Sequence, residues 1–540
     1  MSIVYPGEAS AAVIIPSLLV TFLIISITLS KLIKNTRAAA SKLPPLPPSP
    51  SPSWPLVGNL PAIIIHKKPM FRWVHKLMKD MNTDICLIRL PGGANLVPVL
   101  DPAIAREMLR KQDATFADRS ISFGSHAVSG GYVTTAAVPY NDQWRKMRKV
   151  FTSEIVSPAR HVWLQEKRDE EADNLVFYVH SRCMAGKSVD LRVATRHYCG
   201  NVMRKIMFGR RYMLMSCEPT ADGGPGKMEV KHVEAVFTAL KYLYWSCLSD
   251  FFPCLWGWNV DGKEKIINEA NETIRGYQDP IIDARIQEWR NNGGKTEMDD
   301  LLDVFITVKD EQGKPLLTPH EIKSQATEIM MASIDNPSNA VEWAMAELIN
   351  RPDLMAKATE EIDRVVGKDS RLVQESDIGR LNYVKACARE AFRLHPLAPF
   401  NAPHVATQDT TVGGYFIPKG SHALLSRYGL GRNPKVWPDP LRFDPERHLE
   451  NDGGVDEVAL VEKELRFISF STGRRGCVAT VLGTCMTTML LARLLQCFAW
   501  TPVGGNKTVD LSEAEDGLSL ATPLMALPKT RLARHLYPVV

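Results

Sequence analysis

A mainly α fold with minor β is what this 540-residue chain predicts, and three observations carry the prediction. Helical periodicity dominates residues 162–394, strand signals are few and short, and no domain boundary follows a proline-rich stretch near residue 50. A near-continuous apolar run before that stretch predicts a membrane anchor. The expected organisation is therefore an N-terminal span (1–34), a hinge (41–55) and one large domain (56–540). Hydrophobic residues at 45% supply a sizeable core, and a net charge of +5 without a basic block excludes nucleic acid as partner. Ten cysteines without CxxC pairs indicate neither a disulfide framework nor a zinc cluster, which fits a reducing compartment.

Ala11 to Leu29 is almost wholly apolar, and roughly 20 such residues span a bilayer as a helix. Lys31, Lys34 and Arg37 follow, whereas the leading segment has Glu8 and no Lys or Arg. The positive-inside rule then places the body in the cytosol. A cleaved signal peptide ending at Ala38-Ala39-Ala40 is the competing reading, opposed by the basic residues before the alanines. Prolines from Leu43 to Pro55 make a stiff spacer; a ligand for proline-binding modules is the alternative.

Residues 84–90, the turn Pro91-Gly92-Gly93 and residues 96–100 read as a β-hairpin. Asp101-Pro102 then caps and opens a helix. Helices are expected over 162–185, 228–248, 263–292, 319–350, 352–366 and 381–394, with short strands near 411–418 and at the C-terminus. The helix over 319–350 is the best signed. Thr318-Pro319-His320-Glu321 supplies an N-cap, a first-turn proline and a capping-box glutamate, and its length is roughly 48 Å at 1.5 Å per residue. Its middle, Ser333-Ile334-Asp335-Asn336-Pro337-Ser338-Asn339, carries a proline that removes a hydrogen bond at ~3 kcal/mol. Freed carbonyls and short polar groups there predict a polar pocket in an apolar helix; two helices joined by a loop is the other possibility.

Phe470-Ser471-Thr472-Gly473-Arg474-Arg475-Gly476-Cys477 places a cysteine at the end of a glycine-punctuated basic loop, with a helical stretch beginning at Val478. Backbone N–H groups there favour a thiolate, glycines admit a flat ligand, and Arg475 suits carboxylates on its edge. A cysteine thiolate on haem iron favours O–O cleavage. Glu390 and Arg393 stand at i and i+3, Asp444-Pro445-Glu446-Arg447 adds an arginine on a turn, and Trp144 with Arg148 share a helix face. Singly, each of these reads as an ordinary structural feature.

In this order they resemble the cytochrome P-450 family, haem-thiolate monooxygenases, over essentially the whole chain. The F-x-x-G-x-R-x-C pattern is met by Phe470, Gly473, Arg475 and Cys477, and the E-x-x-R pair by Glu390 and Arg393. The resemblance implies a cytochrome P-450 fold, haem b held by Cys477, and a buried structural triad of Glu390, Arg393 and Arg447. It also implies haem-propionate contacts from Trp144, Arg148, His404 and Arg475. It further implies an endoplasmic-reticulum membrane location and NADPH-derived electrons through a separate NADPH–cytochrome P-450 reductase.

Two departures stand out. Ala479 replaces the usual glycine, and in the long helix Asn336 replaces the threonine that helps deliver protons during oxygen activation. An amide still donates a hydrogen bond but is no acid, so Asp335 or a water chain must carry the proton. With Phe400-Asn401-Ala402-Pro403-His404, this break resembles the plant aldoxime-forming amino-acid N-hydroxylases. That implies two N-hydroxylations of an L-amino acid by O2, then loss of water and CO2. The aldoxime would feed downstream enzymes of cyanogenic glucoside or related defence-compound synthesis. Resemblance favours tyrosine or phenylalanine over valine or isoleucine. The substrate carboxylate needs a cationic partner in an apolar pocket, for which Arg119 is the candidate, beside roles in a surface bridge or at a propionate. The aromatic stretch 242–258 reads as a membrane-dipping lid or as helix core. Rival functions are a C-hydroxylase of fatty acids, terpenoids or phenolics, an oxygen-independent isomerase or dehydratase, and a non-catalytic haem protein.

Overall fold

The computed structural model describes residues 43–538 apart from 67–68, 212–219, 221, 244–246, 292–293, 451–456, 506 and 516. The expected anchor, residues 41–42 of the hinge, and Tyr244-Trp245 of the aromatic stretch lie outside the described residues.

The architecture is mainly helical with three small sheets. The helices that position the site are α1 (Asp142–Val150), α2 (Gln165–Met184), α3 (Leu191–Phe208), α4 (Lys227–Leu243), α5 (Lys263–Arg290), α6 (Pro319–Asn350), α7 (Asn382–Leu394) and α8 (Thr480–Cys497). The strands are β1 (Ile88–Arg89), β2 (Asn95–Val99), β3 (Val189–Asp190), β4 (His404–Val405), β5 (Thr410–Val412), β6 (Tyr415–Ile417), β7 (His422–Leu425), β8 (Phe498–Pro502) and β9 (Met525–Thr530). The largest sheet runs β1-β2-β7-β4. The predicted hairpin is its β1–β2 edge, with Ile88 opposite Leu96, and β7 joins parallel to β2, with Leu96 opposite His422. Antiparallel pairing of His404 with Ala423 then fixes β4.

α6 has the bounds its signals predict. Thr318 accepts from the Glu321 N–H and Glu321 returns the bond to the Thr318 N–H at 2.8 Å, closing the capping box. The helix continues through Pro337, so the two-helix alternative does not hold. α3 packs along it and was not expected from the sequence. Nearly all its residues are buried, so no polar stripe marks a 3.6-residue period. α8 begins at Thr480, two residues later than the expected helical stretch. By length and composition it is apolar enough to cross a membrane, yet it is mostly buried in the helical core.

Candidate active site

The loop before α8 is closed by its own backbone. The Cys477 N–H donates to the Phe470 carbonyl at 2.9 Å and the Gly476 N–H to the Gly473 carbonyl at 2.9 Å. Gly473 sits at φ 74°, and a Cβ there would meet the Asp113 carboxylate and the Leu109 carbonyl at 2.5 and 2.6 Å. Asp113 also accepts from the Arg474 N–H at 2.8 Å, a clamp that no sequence signal announced. Phe470 packs edge-on against Phe392 of α7, ring centroids 5.9 Å apart.

Cys477 is exposed, yet burial is the largest influence on its thiol, a combination found where a side chain opens on an internal hollow. That burial pushes the thiol up, against the Ala479 N–H, Arg148 and the Thr480 hydroxyl, which pull it down.

 The loop and the Ala479 N–H therefore favour a thiolate without securing one; a bound metal cation would complete the ionisation.

Around this hollow stand buried Arg475, half-buried Arg148 and one unpartnered donor. Arg475 is buried and donates to the carbonyls of Ala117 (2.6 Å), Val138 (2.7 Å) and, more weakly, Thr135 (3.4 Å). Burial, with Arg119 nearby, lowers it to about 9, and no carboxylate lies within ion-pair distance among the described residues. Its guanidinium lies over the Trp144 ring at 5.1 Å, and the buried Trp144 Nε1–H has no partner among the described residues. Arg148, one turn along α1, donates to the Gly476 carbonyl at 2.8 Å. A flat ligand carrying two carboxylates would satisfy these groups together, so the residues fit haem. Trp144, Arg148 and Arg475 would face its propionates and Cys477 its iron.

His404 is placed differently from expectation. Its Nδ1–H donates to the Phe116 carbonyl at 2.8 Å, so neutral Nε2 accepts from Asn401 Nδ2 at 3.3 Å. Burial, Arg119 and Arg475 together lower it to about 3. With both nitrogens used on protein, the expected propionate contact does not follow from this geometry. Arg119 is likewise committed, donating to the carbonyls of Ala136 (3.1 Å), Ala402 (3.2 Å) and Pro403 (2.9 Å). It braces two loops, which leaves the substrate-carboxylate role without support.

Glu390, Arg393 and Arg447 come together as expected. Arg393 makes a bidentate pair with Glu390, both bonds 2.7 Å and both side chains fully buried, and Arg447 Nε stands 3.1 Å from the same carboxylate. His448 adds a contact at 2.7 Å that sequence reasoning missed. Burial opposes ionisation, but Arg393 and His448 hold Glu390 down at about 2.

The middle of α6 has a partly open face. Thr135 donates to Gln325 from its N–H (2.9 Å) and hydroxyl (3.0 Å), and the Ala136 N–H donates to Glu328 at 2.9 Å. The loop bonded to Arg475 is thus held to one face of α6. Ala332 and Asn336 follow Glu328 on that face at four-residue steps. Ala332 is exposed and Ser333 and Asn336 half-buried, although their helix runs through the core. Asn336 Nδ2 donates to the Ala332 carbonyl at 3.0 Å, while Ser333 and Ser338 hydroxyls donate to carbonyls one turn back at 2.7 Å. One N–H of the amide is therefore spent on the helix. Asp335 faces α3 instead. Burial, with a push from Glu342 and against Arg196, raises its carboxyl to about 7.

Comparison with known proteins agrees with this arrangement. A model of the cytochrome P-450 family matches residues 47–528. The chain is 61% identical over 534 residues to valine N-monooxygenase 1 of Manihot esculenta, covering 98% of this chain and 96% of that one. It is 56% identical to tyrosine N-monooxygenase of Sorghum bicolor (92% and 88% covered) and 53% identical to tryptophan N-monooxygenase 1 of Arabidopsis thaliana (96% and 94%). A self-closed cysteine loop, carbonyl-paired arginines around it and likeness along nearly the whole length lead to one conclusion: the chain belongs to the cytochrome P-450 family, in its branch of amino-acid N-monooxygenases.

Proposed function

We propose that this protein N-hydroxylates an L-α-amino acid twice, using O2 and NADPH-derived electrons, and yields the aldoxime with loss of CO2 and water. The observation that carries the reading is the middle of α6, where Asn336-Pro337 stands beside a carboxyl poised near neutrality, in a chain whose relatives are named for amino acids. When bound, haem with a thiolate ligand supplies the oxygen activation. Trp144, Arg148 and Arg475 would orient it by its propionates. Asp335, raised to about 7, can hold a proton at working pH, which an amide at position 336 cannot; because it faces α3, that proton reaches the open face of α6 only through a relay.

Two valine enzymes of Manihot esculenta stand at 61% and 62% identity, above the tyrosine and tryptophan enzymes at 56% and 53%. We therefore favour valine over the aromatic substrates first expected. Electrons come from an NADPH–cytochrome P-450 reductase, and the body stands on the cytosolic face of the endoplasmic-reticulum membrane, held by the apolar span 1–34 and the hinge 41–55. Exposed Ile64, Ile65, Trp258 and Val260, on segments that share one small apolar cluster through Ile63 and Phe251, supply a further apolar face toward the bilayer.

Reconstitution with reductase, NADPH and each L-amino acid in turn tests the reading. Aldoxime detected by mass spectrometry, foremost from valine or isoleucine, is the expected result; its absence with all twenty refutes it.

A further inference from the structure

The amide of Asn336 has a fixed orientation. The Ala332 carbonyl only accepts, so Nδ2 must be the atom 3.0 Å from it. Oδ1 is left with no protein partner among the described residues, on the face where Ala332 is exposed and Asn336 half-buried. One position further, Pro337 has no N–H to give to the Ser333 carbonyl, its acceptor one turn back. This turn thus offers acceptors at the place where a threonine would present a hydroxyl donor. Arg475, buried, and Arg148, half-buried, stand beside the Cys477 loop.

Acceptors in a largely apolar hollow select a ligand that brings N–H donors. An α-amino group carries two or three, depending on its protonation, and has a geometry matched by two oxygens on one helical turn. We infer that Asn336 Oδ1, with the Ser333 carbonyl, holds the amino group of the substrate and so aims its nitrogen, not a side-chain carbon, at the reacting centre. This rests on the amino-acid reading above and deepens it. It assigns Asn336 to substrate positioning in place of the donor role that its correspondence with threonine suggests. An amino acid and its des-amino acid, alike in side chain and carboxylate, then differ in affinity through this one residue.

Spin-state titration of the holoenzyme reads that difference without turnover. The paired probes are L-valine with 3-methylbutanoic acid and L-phenylalanine with 3-phenylpropanoic acid. Asn336→Leu keeps the volume and removes the acceptor; Asn336→Ala serves if the leucine variant gives no thiolate-type spectrum with CO. The expected result is a spectral Kd for the amino acid raised about tenfold or more, as for loss of a hydrogen bond to a charged group, with that of the des-amino acid changed less than about twofold. Equal weakening of both ligands overturns the inference. So does an unchanged amino-acid Kd with altered peroxide release, which assigns Asn336 to oxygen handling. A wild-type enzyme whose spin state answers to no amino acid overturns the amino-acid reading as well, and is distinguishable from both.

Discussion

Between Phe470 and Cys477 the backbone bonds to itself, glycine stands at the positive-φ position where neighbouring atoms leave no room for a Cβ, and each arginine has fixed carbonyl or carboxylate partners. Between Ser333 and Ser338 the reverse holds: a proline withdraws a donor, and three short polar side chains bend back onto carbonyls. The first region is rigid and built around a cofactor. The second loses a backbone donor at a cost of a few kcal/mol, and it is the wall to which the proposed substrate contact is assigned.

The sharpest test of the contrast is Cys477→Ser. Activity is expected to vanish and the CO spectrum to lose its thiolate signature, whatever the amino acid; a retained signature would remove Cys477 from the site. Next in size is Glu390→Gln, which leaves buried Arg393 and Arg447 without their anion. A loss of roughly 3–5 kcal/mol in urea unfolding is expected, and a loss below ~1 kcal/mol would show the triad to be dispensable.

Asp335→Asn acts on the other wall. Slower turnover with more peroxide released is expected, and unchanged coupling would exclude the proton role. Its stability effect has a sign. A carboxyl raised from 3.8 to about 7 favours the folded state only while protonated, so its contribution is fully present below about pH 4 and lost as pH rises through 7. The asparagine variant, which carries no charge, is expected to match the wild type at pH 4 and to exceed it in thermal stability above pH 7. The smallest effect is that of Trp144→Phe. Losing one donor, worth about 1 kcal/mol, is expected to speed haem transfer to apomyoglobin several-fold; an unchanged rate would take Trp144 out of the haem edge.

Much of both walls was legible because local rules set them. The capping box fixed where α6 starts, and the spacing of Phe470, Gly473, Arg475 and Cys477 reflects a loop that closes on itself. What escaped depends on partners distant in sequence. The role of His404 turns on Phe116 and Asn401, which settle its tautomer, and Asp113 and His448 enter through contacts that no local pattern encodes. α3 escaped because a helix buried on every side shows no amphipathic period.

Glu390 has one more consequence, for the order in which the molecule comes apart. Arg393 also donates to the carbonyls of Gly431 and Pro440, at 2.5 and 2.8 Å, and the Asp444 N–H donates to Glu390 at 2.9 Å. Residues 431–448 are therefore riveted to α7 at one fully buried charge, and peeling either away strands an ion in the interior. Hydrogen exchange is expected to find the two segments opening as a single unit, since neither has a low-energy way to leave alone.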